Sequence, residues 1–136
     1  MASIGAVTNG VAIEFADGVN NDVEPALIEA LGQIVRPGIP HIHLVHTLYV
    51  SSANDSDEAP SRHVQRKAVD ISRINGKLIG VHYGTDVEVT AVVERIQRDF
   101  ELVPGRRENF GPYMKHKSGR PHQVSGHSDH IHLSID

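Results

Sequence analysis

His127-Ser-Asp-His-Ile-His-Leu-Ser-Ile-Asp136 is the stretch from which the fold of this 136-residue chain is best read. From His130 to Ile135 the residues alternate, with Ile131, Leu133 and Ile135 on one side and His130, His132 and Ser134 on the other. A period of two predicts a strand with one face in the core and the other free for chemistry. His130 and His132 are two apart and therefore project from the same face.

Similar patterns run back through the chain. Ile4 to Val7 and Val11 to Phe15 flank Thr8-Asn9-Gly10, and Asn-Gly is a hairpin signal. Val23, Leu27, Leu31 and Ile34 share one helical face, so Asp22 to Val35 is expected to be an amphipathic helix stopped by Pro37-Gly38. His41 to Ser51 alternates and is rich in β-formers, which predicts a central strand, and Ser52 to Pro60 reads as a loop. Ala68 to Ile71 reads as a short strand, Asn75-Gly76 as a turn and Lys77 to His82 as the partner strand. Asp86 to Leu102 is the second helix, with its stripe at Val89, Val92, Val93, Ile96 and Phe100. Pro104 to Ser128, rich in Gly, Pro and basic residues, is expected to be a long functional or disordered loop. The mixed order points to an α+β domain over residues 1–136 with an antiparallel sheet.

Composition narrows the function. The net charge is −4 and no basic run stands out, so nucleic-acid binding has no electrostatic footprint. The absence of cysteine excludes thiolate metal sites and cysteine nucleophiles. No window reaches the length of a transmembrane helix, and Met1 to Val7 lacks the pattern of a signal peptide. The compositional excess is ten histidines, clustered at His41, His43 and His46 and again from His116 to His132.

One more segment joins the tail to form a chemical set: Ser61-Arg-His-Val-Gln-Arg-Lys-Ala-Val-Asp70. His63 and Asp70 are seven apart, so on one unbroken strand they would face opposite ways. They share a site only if the chain turns across Val64 to Lys67. Two histidines and one carboxylate from distant segments suit a divalent zinc with one position left for water.

Ser61-x-His63-x-x-Arg66-x-Ala68-x-Asp70 resembles the Ser-x-His-x-x-Gly-x-Ala-x-Asp signature of the D-alanyl-D-alanine metallopeptidase family, which includes phage L-alanoyl-D-glutamate endolysins. The His-x-x-His-x-His of the tail is similar to that of penicillin-insensitive murein endopeptidases and of the zinc fold shared with lysostaphin and Hedgehog domains. The resemblance implies a small antiparallel sheet with two main helices, with His63, Asp70 and His132 as zinc ligands. It implies Asp129, three residues before the last ligand, or His130, two before it, as the catalytic base. Its substrate would be a bacterial peptidoglycan peptide, cut as an amide by a phage lysis enzyme or tail component. Such a protein is expected to be made in the cytoplasm and delivered by a holin or a virion. Two features depart from the family: Arg66 stands at its glycine, and its substrate arginine after a Val-x-Ser strand is not visible, Val50-Ser51-Ser52-Ala53-Asn54 having an asparagine nearby instead.

Other readings stay open beside this one. The same ligands could serve a non-catalytic zinc module, or His63 and Asp70 could be hydrogen-bonded in a metal-free virion domain. His41 and His43 read as sheet or rim residues. His116 and His122 read as solvated loop residues or pocket contacts, Lys115, Lys117 and Arg120 as a solvated basic loop or as partners of a substrate carboxylate, and Phe110-Gly-Pro-Tyr113 as either a substrate wall or a loop anchor.

Overall fold

The computed structural model describes residues 2–17, 19, 22–35, 38–39, 43–44, 47–52 and 67–136. Along the chain run β1 (Ala2–Ser3), β2 (Val7–Thr8), β3 (Val11–Phe15) and β4 (Asp22–Val23), followed by α1 (Pro25–Ile34). Next come β5 (Gly38–Ile39), β6 (His43–Leu44), β7 (Thr47–Ser52), β8 (Ala68–Ile74) and β9 (Lys77–Leu78). The short α2 (Ile79–His82) and the long α3 (Val87–Phe100) precede β10 (Arg106–Phe110), β11 (Lys115–Lys117), β12 (Arg120–Pro121) and β13 (Ile131–Ile135). The domain is α+β, as its patterns predict.

The main sheet runs β12-β11-β10-β13-β8-β7-β3-β2, with β9 attached to β8. All its pairs are antiparallel except β3–β7, which is parallel. The helices lie on one face. Leu27, Leu31 and Ile34 of α1 and Val89, Val92, Val93, Ile96 and Phe100 of α3 form a core with Val69, Ile71, Ile131, Leu133 and Ile135. Alternation leaves Asp70, His132 and Ser134 on the other face of the sheet.

Local chemistry explains the boundaries that match expectation. Asn9 and Gly10 both take positive φ (50° and 83°), the conformation a two-residue hairpin needs, and β2 and β3 pair across them. The Asp86 carboxylate accepts from the Val89 amide 3.0 Å away, so α3 starts at its N-cap.

Several boundaries differ. The first helix begins at Pro25, not Asp22: Glu24, preceding a proline, is extended (φ −62°, ψ 139°), and Asp22–Val23 pair with β1 instead. The strand expected over Lys77 to His82 lasts two residues, and Ile79–His82 form a helical turn that buries Ile79. A short apolar run with a skip of two fits both periods, and packing chose the helix. The alternating segment His41 to Ser51 is a strand from Thr47, while Gly38–Ile39 and His43–Leu44 pair antiparallel as a separate two-stranded sheet. His41 and His46 lie outside the described residues.

The largest correction concerns Pro104 to Ser128. In place of a long loop, three strands extend the sheet from β13. Arg106–Phe110 shows no apolar alternation because its inward residue is Asn109, paired with the buried Gln97 of α3. Gln97 accepts from the Tyr113 and Met114 amides and donates to the Met114 carbonyl, which pins the turn after Phe110. Gly111 is required there, since a Cβ would sit 2.6 Å from the Gln97 side-chain oxygen.

Candidate functional site

β-Sheet register assembles the site. His132 on β13 is the partner of Asp70 on β8 and, on its other side, of Phe110 on β10. Residues directly opposite in antiparallel strands have side chains in contact range on one face. Nδ1 of His132 lies 2.8 Å from Oδ1 of Asp70, and Nε2 lies 3.0 Å from Oε1 of Glu108. The Ser134 hydroxyl donates to the same Glu108 oxygen at 2.8 Å while accepting from the Glu108 amide at 3.0 Å. The imidazole is thus clamped between two carboxylates, one of them anchored in turn by its own strand neighbour.

The electrostatics follow. Burial works to lower the His132 pKa, but the hydrogen bonds to Asp70 and Glu108 outweigh it and raise it to about 9. Without a metal the ring is therefore an imidazolium at neutral pH, donating from both nitrogens. Its bond to Glu108 pulls that carboxyl down to about 2, against the opposing effect of burial and with help from Ser134.

A ring cluster surrounds His132. Phe110 stacks on His132 and on His122, each at 5.8 Å between centroids, and meets His127 edge-on at 5.1 Å. His127 lies 5.0 Å from His130 and 5.7 Å from His132. Its Nδ1 donates to the Ser125 carbonyl at 3.0 Å, and its pKa is lowered, by burial first and then by His130 and His132. His127 is therefore a neutral imidazole whose Nε2 can accept. The turn that delivers it has positive φ at both Gly126 and His127.

Asp129 and His130 precede β13 and pair with each other, Nδ1 to Oδ1, at 2.7 Å. The bond to His130 lowers the Asp129 pKa, so a carboxylate accepts the Nδ1 proton and Nε2 is left for proton transfer. Asp129 is the outer member, its side chain 75% exposed against 25% for His130. The short helix α2 backs this pair: a Cβ on Gly80 would lie 2.7 Å from that of Asp129.

Of the residues expected from sequence, Asp70, His132, Asp129 and His130 thus fall in two bonded pairs, linked by His127. His63, Arg66 and the Val64 to Arg66 part of the expected turn lie outside the described residues, as do Ala53 and Asn54. Glu108 and Phe110 were missed as neighbours of His132, because only strand pairing brings them there; Ser134, two residues along the same strand, anchors Glu108. His116 and His122, expected to be solvated, are both engaged: His116 Nδ1 lies 2.8 Å from the Glu101 carboxylate, and His122 stacks on Phe110. Lys115, Lys117 and Arg120 sit on paired strands, not in a loop. The Phe110 ring stacks on His132, and the Tyr113 amide donates to Gln97, which anchors that end of the segment.

Among the described residues, no group of three or more histidine, cysteine, aspartate or glutamate side chains is arranged to hold a metal. Asp70 and Glu108 occupy opposite nitrogens of the one ring. Ligation of a zinc by Asp70 and His132 would replace the hydrogen bond between them. Donors sharing a tetrahedral zinc stand roughly 3.3 Å apart, and this pair, at 2.8 Å, needs to open only slightly. No described helix is long and apolar enough to cross a membrane. The chain matches no known family model, no curated protein and no solved structure.

Proposed function

We propose that this chain is a zinc-dependent peptidase of the D-alanyl-D-alanine metallopeptidase kind, with a Hedgehog- and lysostaphin-like zinc fold. Its substrate is an amide in the stem peptide or cross-link of bacterial peptidoglycan, and its context is a bacteriophage endolysin or tail component acting at the cell wall. The observation that carries this reading is the meeting of Asp70 and His132, 62 residues apart, on the face of the sheet opposite the helices. The Ser-x-His and Ala-x-Asp frame around His63 and Asp70 supplies the rest.

Asp70 and His132, with His63 as third donor, are the residues that would hold the zinc. When bound, the ion supplies Lewis acidity toward the scissile carbonyl and lowers the pKa of water toward about 7. The other work falls to side chains. Glu108 holds the proton on Nε2 of His132, so Nδ1, facing Asp70, would be the nitrogen free to act as a ligand. His130, its tautomer held by Asp129, takes the proton of the attacking water at Nε2 and returns it to the leaving amine. Asp129 is then the orienting group and His130 the base. Neutral His127 is an additional acceptor beside them, and Phe110 is the apolar floor that excludes water.

Digestion of purified peptidoglycan, with and without chelator, tests this. Amide-cleaved fragments identified by mass should appear, vanish with chelator and return with zinc. Zinc binding without any cleavage would leave a non-catalytic zinc module. A chain that takes up no zinc would leave a metal-free structural domain.

A further inference from the structure

Four side chains stand level across adjacent strands of the sheet. Asp70 on β8, His132 on β13, Phe110 on β10 and Lys115 on β11 are each the register partner of the next. Lys115 therefore shares the face of the Asp70–His132 pair, two strand spacings, or roughly 10 Å, from His132. The Phe110 ring paves the interval, stacked on His132 at one side and on His122 at the other.

Beyond Phe110 lies a shallow, open groove of about 490 Å³ lined by Lys115, His122, Gln123, Val124 and Ser125. The Lys115 ammonium donates to the Val124 carbonyl at 2.9 Å, which holds this long side chain against the groove wall. That contact uses one of three ammonium donors and brings no negative charge. Among the described residues, no carboxylate pairs with Lys115. Lys117, two residues along β11, projects from the same face and is already flanked in register by Glu108 on one side and Arg120 on the other, which leaves Lys115 as the cation without a carboxylate opposite it.

We propose that this groove is a subsite for a carboxylate of the substrate, with Lys115 as its counter-charge. The ligand class is an acidic peptide whose free carboxylate lies roughly 10 Å, or about three extended residues, from the scissile carbonyl. This specificity rests on the peptidase reading of the same face. Pre-positioning of Lys115 by Val124 lowers the ordering cost of binding.

The test uses the zinc-treated full chain and two synthetic stem tetrapeptides, one with free carboxylates and one with every carboxylate amidated. Affinity is read from NMR shift titrations with uncleavable analogues whose backbone amides are N-methylated, and turnover is read separately with cleavable ones. The acid should bind about tenfold tighter or more, the scale of a charge-assisted hydrogen bond. Lys115→Gln should abolish that preference while leaving affinity for the amidated peptide unchanged. Equal affinities for the two peptides, binding of neither, or a preference that survives Lys115→Gln each overturn the subsite. A wild-type chain that prefers the acid yet cleaves nothing would remove the peptidase reading and keep the subsite. Cleavage without discrimination would do the reverse.

Discussion

Nε2 of His132 is 3.0 Å from a Glu108 oxygen that also accepts the Ser134 hydroxyl, so the ring is oriented from the side away from Asp70. A carboxylate behind a ligating histidine fixes its tautomer and raises its basicity, and losing such a partner typically costs about 10–100-fold in metal affinity. Glu108→Ala should therefore weaken zinc binding by about that factor, measured by competition with a chromophoric chelator. Glu108→Gln, which can still accept from Nε2, should recover much of the loss. Equal affinity in all three proteins would show that Glu108 does not orient the ligand.

The same clamp gives the metal-free protein a pH signature. The folded-state pKa of His132 is raised from 6.5 to about 9, so its contribution is fully present below 6.5 and is lost as pH rises through about 9. The contribution is on the order of 3 kcal/mol. Thermal unfolding of chelator-treated protein should show Tm falling between pH 6.5 and 9. In His132→Gln that slope should flatten. Zinc uptake at pH 7 should release a proton, visible with an indicator in weak buffer, because ligation requires Nδ1 to be deprotonated.

Ligands and base should separate by phenotype. His63→Ala, Asp70→Ala and His132→Ala are each expected to lose zinc, as measured by metal analysis of protein purified without a histidine tag. His130→Ala should retain zinc and lose about 10²–10⁴-fold in turnover, the usual worth of a positioned base. Asp129→Ala should lose less, since it acts through His130. A larger loss in Asp129→Ala than in His130→Ala would reverse the two roles.

Gly80 offers a way to disturb that base from outside the site. The Cβ of Gly80→Ala would approach the Asp129 Cβ to 2.7 Å and its Cα to 3.2 Å, so the Asp129–His130 pair must shift. Turnover should drop while zinc content and the Lys115-dependent preference for carboxylates stay as in the wild type. Unaltered turnover would mean that the pair tolerates displacement.

Gln97 is a structural control. It is fully buried and bonds to Asn109, to both the amide and the carbonyl of Met114, and to the Tyr113 amide. Gln97→Ala strands these groups and should cost about 2–4 kcal/mol, with a matching fall in Tm. Loss of the β10–β11 turn should follow, read as faster amide exchange at Tyr113 and Met114.

Much of this molecule is legible locally. Asn9-Gly10 announces its hairpin, Asp86 its helix start, and the alternation of Ile131, Leu133 and Ile135 puts His132 and Ser134 on the face away from the core. These features depend on spacing and on caps within a few residues, which sequence alone determined. Where the sequence was silent, as over Arg106–Phe110, the strand owes its inward contact to a polar residue, Asn109, meeting Gln97, and a hydrophobic pattern cannot register that.

The site itself belongs to the tertiary structure. That Glu108 rather than another carboxylate meets His132, and that Lys115 stands level with Asp70, was decided by pairing among strands that are distant in the chain. Strand register is a property of two segments at once, chosen by the packing of their buried faces against the helices. A one-residue slip would turn each of these side chains to the opposite side of the sheet.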